Sequence, residues 1–195
     1  MNKTIFYTPV LRHIMPLVSR ILLFVLGWKI KVQLPQVNKC VMIAAPHTSN
    51  WDYFYTLLIA FAIKKPIYAM GKKSLTEGFF GGIMKWLGIL PIDRSKSNNI
   101  VEQTIEQFNL NKELTILVPP SGTRDKVTYW KTGFYYIAHG AGVPVCLGFI
   151  DYGNKTGGLG PLFYPTGDID KDMEEIKLFY APIKGKNQNK QIQEL

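Results

Sequence analysis

The chain has 195 residues and a formal net charge of +9, with 47% hydrophobic, 13% aromatic and 19% charged residues. That length suits one domain whose core needs no disulfide or metal staple, and the composition excludes a disordered or collagen-like chain. Cys40 and Cys146 are too few for a disulfide framework or a cysteine-rich zinc site. The three histidines, His13, His47 and His139, show no ligand spacing, so no metal is expected.

The first quarter of the chain is cationic. Lys3, Arg12, Arg20, Lys29, Lys31 and Lys39 all precede the first acidic residue, Asp52. Such a segment seeks an anionic partner, either nucleic acid or an anionic membrane surface. Residues 5–28 are rich in Ile, Leu, Val and Phe, which favours the membrane. Their longest uninterrupted apolar run, residues 21–28, spans only ~12 Å as helix against a hydrocarbon core of ~30 Å. Segment 1–30 therefore reads as an amphipathic, membrane-associating helical segment, a helix pair broken at Pro9 or Pro16. The competing reading is a core helix with two solvated basic residues.

From there strand-length apolar runs alternate with helical patterns. A strand at 40–45 ends at Pro46, and a helix over 51–63 stops before Pro66. A short strand at 67–70, a glycine-containing helix at 75–87 and a strand at 89–92 follow. Next come a helix at 98–109, a buried strand at 114–118, a helix at 130–140 and a strand at 143–150. Four glycines within 153–160 predict a turn. A short strand at 162–164 and an acidic helix at 168–180 complete the pattern. The expected fold is a single α/β domain over 31–182, a mixed, mostly parallel sheet flanked by helices. A polar tail, 183–195, follows, and residues 185–195 are expected to fray.

Strand ends are where α/β proteins place their chemistry. Residues 46–54, PHTSNWDYF, put His47 five positions before Asp52. On one continuous helix that offset is about 140°, so the pair meets only if His47 lies in the loop and Asp52 in the first helical turn. Thr48, Ser49 and Asn50 are suitable N-caps there, and Asp52 suits the positive helix end. A carboxylate bonded to one imidazole nitrogen leaves the other free to accept a proton. Two further segments end strands: 88–98, GILPIDRSKSN, and 118–126, VPPSGTRDK. Arg94 and Arg124 form a candidate phosphate clamp, with salt bridges to Asp93 or Asp125 as the alternative. Phe79, Phe80, Ile83, Met84 and Trp86 read either as the lining of an acyl-chain groove or as a greasy helix packed on the sheet.

Together these segments resemble the glycerophospholipid acyltransferase family, the 1-acylglycerol-3-phosphate acyltransferases and their relatives. The His-x4-Asp block is His47–Asp52. The block ending in Ile-Asp-Arg is 88–94, and the block usually Pro-Glu-Gly-Thr-Arg is 120–124. An apolar block with a proline, Pro144, is 143–150. The resemblance covers roughly residues 38–152. It implies acyl transfer from acyl-CoA or acyl-carrier protein to a hydroxyl of a lysophospholipid such as 1-acylglycerol-3-phosphate. His47 would be the general base and Asp52 its orienter. Arg94, Ser121, Gly122, Thr123 and Arg124 would bind the acceptor and its phosphate, with no metal and no bound cofactor. The implied setting is peripheral, on a membrane phospholipid surface at the cytoplasmic face, with no nucleic acid partner.

The chain departs from that family at Ser121, where Glu is usual. A serine hydroxyl lacks the carboxylate charge, which leaves three readings: a different acceptor head group, a weakened or non-catalytic phospholipid-binding relative, or a deliberate substitution. A Ser121–His47–Asp52 hydrolase triad is disfavoured, since no G-x-S-x-G elbow surrounds Ser121.

Overall fold

A computed structural model describes residues 4–33, 37–92 and 100–191. Among the described residues seven strands form one sheet: β1 (Lys29–Val32), β2 (Lys39–Ala45), β3 (Tyr68–Lys72), β4 (Ile89–Ile92), β5 (Leu114–Val118), β6 (Val145–Asp151) and β7 (Thr156–Phe163). Their spatial order is β1-β7-β6-β2-β5-β3-β4. Every neighbouring pair is parallel except β6 with β7. Among the described residues six α-helices accompany the sheet: α1 (Leu11–Val25), α2 (Trp51–Ala62), α3 (Gly81–Trp86), α4 (Ile100–Leu110), α5 (Gly133–Ala141) and α6 (Ile169–Tyr180).

The central strand β2 shows why both sheet faces are covered. Side chains alternate along a strand, so Val41, Ile43 and Ala45 point one way and Cys40 and Met42 the other. The first set joins a core with Phe108, Phe134, Ile137, Ile176 and Tyr180 from α4, α5 and α6. The second joins Phe6, Ala60, Phe61, Leu117 and Cys146 on the opposite face. Cys40 and Cys146 are buried and free.

The N-terminal segment breaks at Pro9, between a 3-10 turn and α1, and not at Pro16. After a 3-10 turn at Ile5–Tyr7, α1 runs straight through Pro16. Pro16 lies only one turn into α1, so it removes a single early hydrogen bond instead of splitting a long helix. A narrow stripe of Pro16, Ser19 and Leu23 faces inward, while Ile14, Leu17, Ile21, Phe24 and Val25 stand exposed. Trp28 and Leu23 are core residues packed with Leu58, Ile59 and Ile150. The chain then enters β1, an edge strand within a stretch read as helical up to residue 30.

Two predicted elements take another form. The helix expected over 75–87 is divided into a 3-10 turn at Lys73–Thr76 and the short α3. The turn expected over 153–160 is confined to 152–155, and residues 156–160 are the first part of β7. Its glycines mark close approach, not reversal. A Cβ on Gly158 would stand 1.7 Å from the Lys31 carbonyl oxygen, and one on Gly160 would stand 2.4 Å from the Phe179 ring. Their absence lets β1 and α6 lie against β7.

The tail expected to fray is held as far as residue 191. The Asn187 amide N–H donates to Thr48 Oγ1 at 3.1 Å, and Asn187 Nδ2 donates to the Thr48 carbonyl at 2.8 Å. Gln191 Nε2 donates to the Ile183 carbonyl at 2.8 Å, and Lys190 pairs with Asp125 at 3.2 Å.

Candidate active site

The strand order sets β5, β2 and β6 side by side. Because the three are parallel, their C-terminal ends deliver three loops to one edge. The loop after β2 carries His47, the loop after β5 carries Ser121–Arg124, and the turn after β6 carries Tyr152.

His47 and Asp52 meet as a loop residue and a first-turn residue of α2. The His47 Nδ1 to Asp52 Oδ2 distance is 3.2 Å. The same oxygen accepts the N–H groups of Thr48 at 2.8 Å and Ser49 at 2.9 Å. Asp52 therefore ties down the loop that presents His47, while Ser49 Oγ accepts the Trp51 N–H at the helix start. The other carboxylate oxygen, Oδ1, accepts the Tyr152 hydroxyl at 2.9 Å.

Asp52 is only 4% exposed. Burial pushes its carboxyl up, but hydrogen bonds from His47, the Ser49 N–H, Tyr152 and the Thr48 N–H outweigh it and hold the group below the usual carboxylate range. An ionised Asp52 only accepts, so the proton sits on His47 Nδ1 and is donated to Oδ2, which leaves the Nε2 lone pair free.

A cavity of about 960 Å³ opens beside the pair. His47, Asp52, Gly122, Arg124 and Lys131 supply its polar wall. Ala69, Met70, Val101, Leu117, Phe134 and Ile137 supply an apolar one. The space thus joins a histidine–carboxylate pair, two cations and a greasy interior.

The loop after β5 is a compact turn. Gly122 has φ +66°, a conformation that favours glycine, and donates its N–H to the Pro119 carbonyl at 3.0 Å. A Cβ there would stand 3.2 Å from Lys131 Nζ, so the bare glycine lets the ammonium lie across the turn. Arg124 donates to Asn50 Oδ1, which fastens this loop to the start of α2. Ser121 Oγ donates to the Thr123 carbonyl at 2.7 Å. It serves the turn and does not donate to His47. Thr123 is exposed, and its hydroxyl accepts the Asp125 N–H at 3.3 Å. Of the sequence candidates, His47, Asp52, Gly122 and Arg124 share the cavity, Ser121 and Thr123 shape the turn beside it, and Arg94 lies outside the described residues.

A family model described as Acyltransferase matches residues 29–146, more than half of the chain. The chain belongs to the acyltransferase family. Within that family, it is 31% identical over 129 residues to the 1-acyl-sn-glycerol-3-phosphate acyltransferase of Haemophilus influenzae, covering 61% of this chain. The chain spans about half, 52%, of that relative's length. The crystal structure of the 1-acyl-sn-glycerophosphate acyltransferase PlsC from Thermotoga maritima shares the fold, with a TM-score of 0.56 at 17% identity. The match covers 86% of this chain and 78% of that one. The α/β fold expected from the alternating pattern and the family expected from the four sequence blocks both hold.

Sequence reasoning missed Tyr152 and the 184–191 strap. Tyr152 directly follows a strand that neighbours β2, and that position was the available signal. The strap offered none, because GKNQNKQ reads as a solvated tail. Phe79 and Phe80 neither line the cavity nor pack on the sheet. They are 96% and 61% exposed, edge to face with each other.

Proposed function

We propose that this acyltransferase-family protein moves a fatty acyl group from a thioester, acyl-CoA or acyl-carrier protein, to a hydroxyl of a lysophospholipid such as 1-acylglycerol-3-phosphate. The observation that carries the reading is the His47–Asp52 pair set at the wall of a cavity both cationic and apolar. Nε2 of His47 removes the acceptor hydroxyl proton as that oxygen attacks the thioester carbonyl. The tetrahedral intermediate collapses, the C–S bond breaks, and the leaving thiolate takes the proton back from His47. Asp52 steadies the imidazolium between those steps. No acyl-enzyme is formed.

Arg124 and Lys131 are the described cations placed to meet the acceptor phosphate or the anionic donor. Arg94, Gly122, Thr123 and Ser121 join that site on the strength of the family resemblance. The non-catalytic alternative draws on Ser121 alone, whereas a carboxylate with four donors aligned on a histidine has no use in a simple binder.

The protein works at a phospholipid surface as a peripheral enzyme. The exposed apolar face of α1, flanked by Arg12 and Arg20, supports this placement. No helix among the described residues is long and apolar enough to cross a membrane.

Radiolabelled acyl-CoA and acyl-carrier protein, each offered with a panel of lysolipids in vesicles, test the reading. Labelled diacyl product on phosphate-bearing acceptors is expected. Transfer to none of them by folded, vesicle-bound protein would favour the binder.

A further inference from the structure

We propose that Tyr152 is a positioning residue for the His47–Asp52 pair, its hydroxyl governing acyl transfer through Asp52 Oδ1 without touching substrate. The inference rests on the proposed role of His47 as base.

The two carboxylate oxygens of Asp52 have different duties. Oδ2 receives His47 Nδ1, Thr48 N and Ser49 N, whereas Tyr152 Oη binds Oδ1 at 2.9 Å. A carboxylate turns readily about its last torsion, because that rotor has broad, shallow minima. A second anchor on the opposite oxygen fixes the plane of the group and hence the line from Oδ2 to Nδ1. Without it, a buried oxygen loses its hydrogen bond and the carboxylate is free to tilt.

Tyr152 is itself held from three directions. Its ring stands perpendicular to Trp28 at 5.2 Å and to Tyr55 at 5.8 Å, and those two rings lie 4.2 Å apart. Its backbone N–H donates to the Lys184 carbonyl at 2.8 Å. Burial, then the Asp52 hydrogen bond and charge, push the phenol far above its ordinary range, so it remains a donor at every working pH. Although His47 and Asp52 line the cavity, Tyr152 is not among its lining residues. It therefore acts from behind Asp52. It also lies beyond residue 146, where the family match ends.

Among the described residues, Arg124 and Lys131 share the cavity wall with this pair. His47 and Tyr152 bond Asp52, and Tyr55 adjoins Tyr152. Asp151, next in the chain, turns its carboxylate to the N–H groups of Gly153, Asn154 and Lys184 and to the Asn154 side chain.

Tyr152→Phe keeps the ring packing and removes only the hydroxyl. With radiolabelled palmitoyl-CoA and oleoyl lysophosphatidate, kcat is expected to fall about tenfold, the rate equivalent of one hydrogen bond to a charged group. KM for both substrates should stay unchanged, because the hydroxyl touches neither. The acid limb of kcat/KM should move to higher pH. An Asp52 with one donor fewer either takes up a proton sooner or holds the His47 proton more tightly, and both deplete the neutral base.

Parental kcat and an unmoved acid limb in Tyr152→Phe would overturn the assignment. So would a slower enzyme with a lower melting temperature and an unmoved limb, since that is packing damage. His47→Ala, assayed alongside, separates the two claims. If it is inactive while Tyr152→Phe is normal, only the Tyr152 assignment fails. If it is active, the base and everything resting on it fail together.

Discussion

Asp52 carries two loads, one structural and one electrostatic, and they separate on substitution. Asp52→Asn can turn its amide oxygen to the Thr48 and Ser49 N–H groups and offer its NH2 to the Tyr152 oxygen. The loop then keeps its shape while the negative charge beside His47 is lost. We expect a folded protein, less stable by ~1–3 kcal/mol, because charge-assisted bonds are replaced by neutral ones. Acyl transfer should fall on the order of 10²–10⁴-fold, since the imidazolium loses its counter-charge and its fixed tautomer. A carboxyl held low in the folded state stabilises the fold fully above the unfolded pKa of ~4 and stops doing so as pH falls through the folded value. The stability gap between parent and Asp52→Asn, read from urea unfolding, should thus be full at neutral pH and shrink below about pH 4. A gap that widens in acid would contradict this account of Asp52.

At the scale of elements, β7 shows how one residue type carries two messages. Gly158 sits where β1 comes close, and an added Cβ would meet backbone rather than a movable side-chain tip. Gly158→Ala should therefore cost about 3 kcal/mol, as overpacking does when the neighbour cannot yield. The urea midpoint should drop with little change in slope. An unchanged midpoint would mean that β1 is free to shift outward. The same glycines explain a misreading: in sequence, close approach and chain reversal look alike, and only the β1–β7 pairing distinguishes them. The strands β2, β5 and β6 were legible because their apolar runs are continuous and buried on both faces. Edge strand β1, with its KIKV pattern and two exposed lysines, lacks that signature. The His47–Asp52 contact was legible too, because an N-capping loop between strand and helix is what brings a five-residue offset together. Tyr152 was not, because its partner lies 100 residues earlier in the chain.

The molecule as a whole pairs a cationic first quarter with exposed apolar side chains. Leu17 and Phe24 on α1 are 63% and 83% exposed, and Phe79 is almost wholly so. Trp86 Nε1 donates to Thr8 Oγ1 at 2.9 Å, which ties the α3 region to the start of α1. Removing residues 1–28 outright would also remove Phe6, Leu23 and Trp28 from the core, so surface substitutions are the cleaner probe. Leu17→Ser with Phe24→Ser should lower sedimentation with anionic vesicles and reduce activity on vesicles more than on detergent-dispersed acceptor. Equal losses in both would point to damage inside the domain. The charge asymmetry behind this surface was visible in the sequence. The choice of which α1 side chains face outward was not, since an apolar helix with a narrow buried stripe looks the same from its composition.

Everything proposed for the site depends on His47 acting as the general base in direct acyl transfer, and that role can be measured. It is tested most directly by following radiolabelled acyl-CoA into lysophosphatidate with parent and His47→Ala proteins of matched circular dichroism and vesicle binding. Labelled phosphatidate is expected from the parent, with a loss of at least about 10²-fold in the variant. Parental transfer by a folded His47→Ala protein would contradict it.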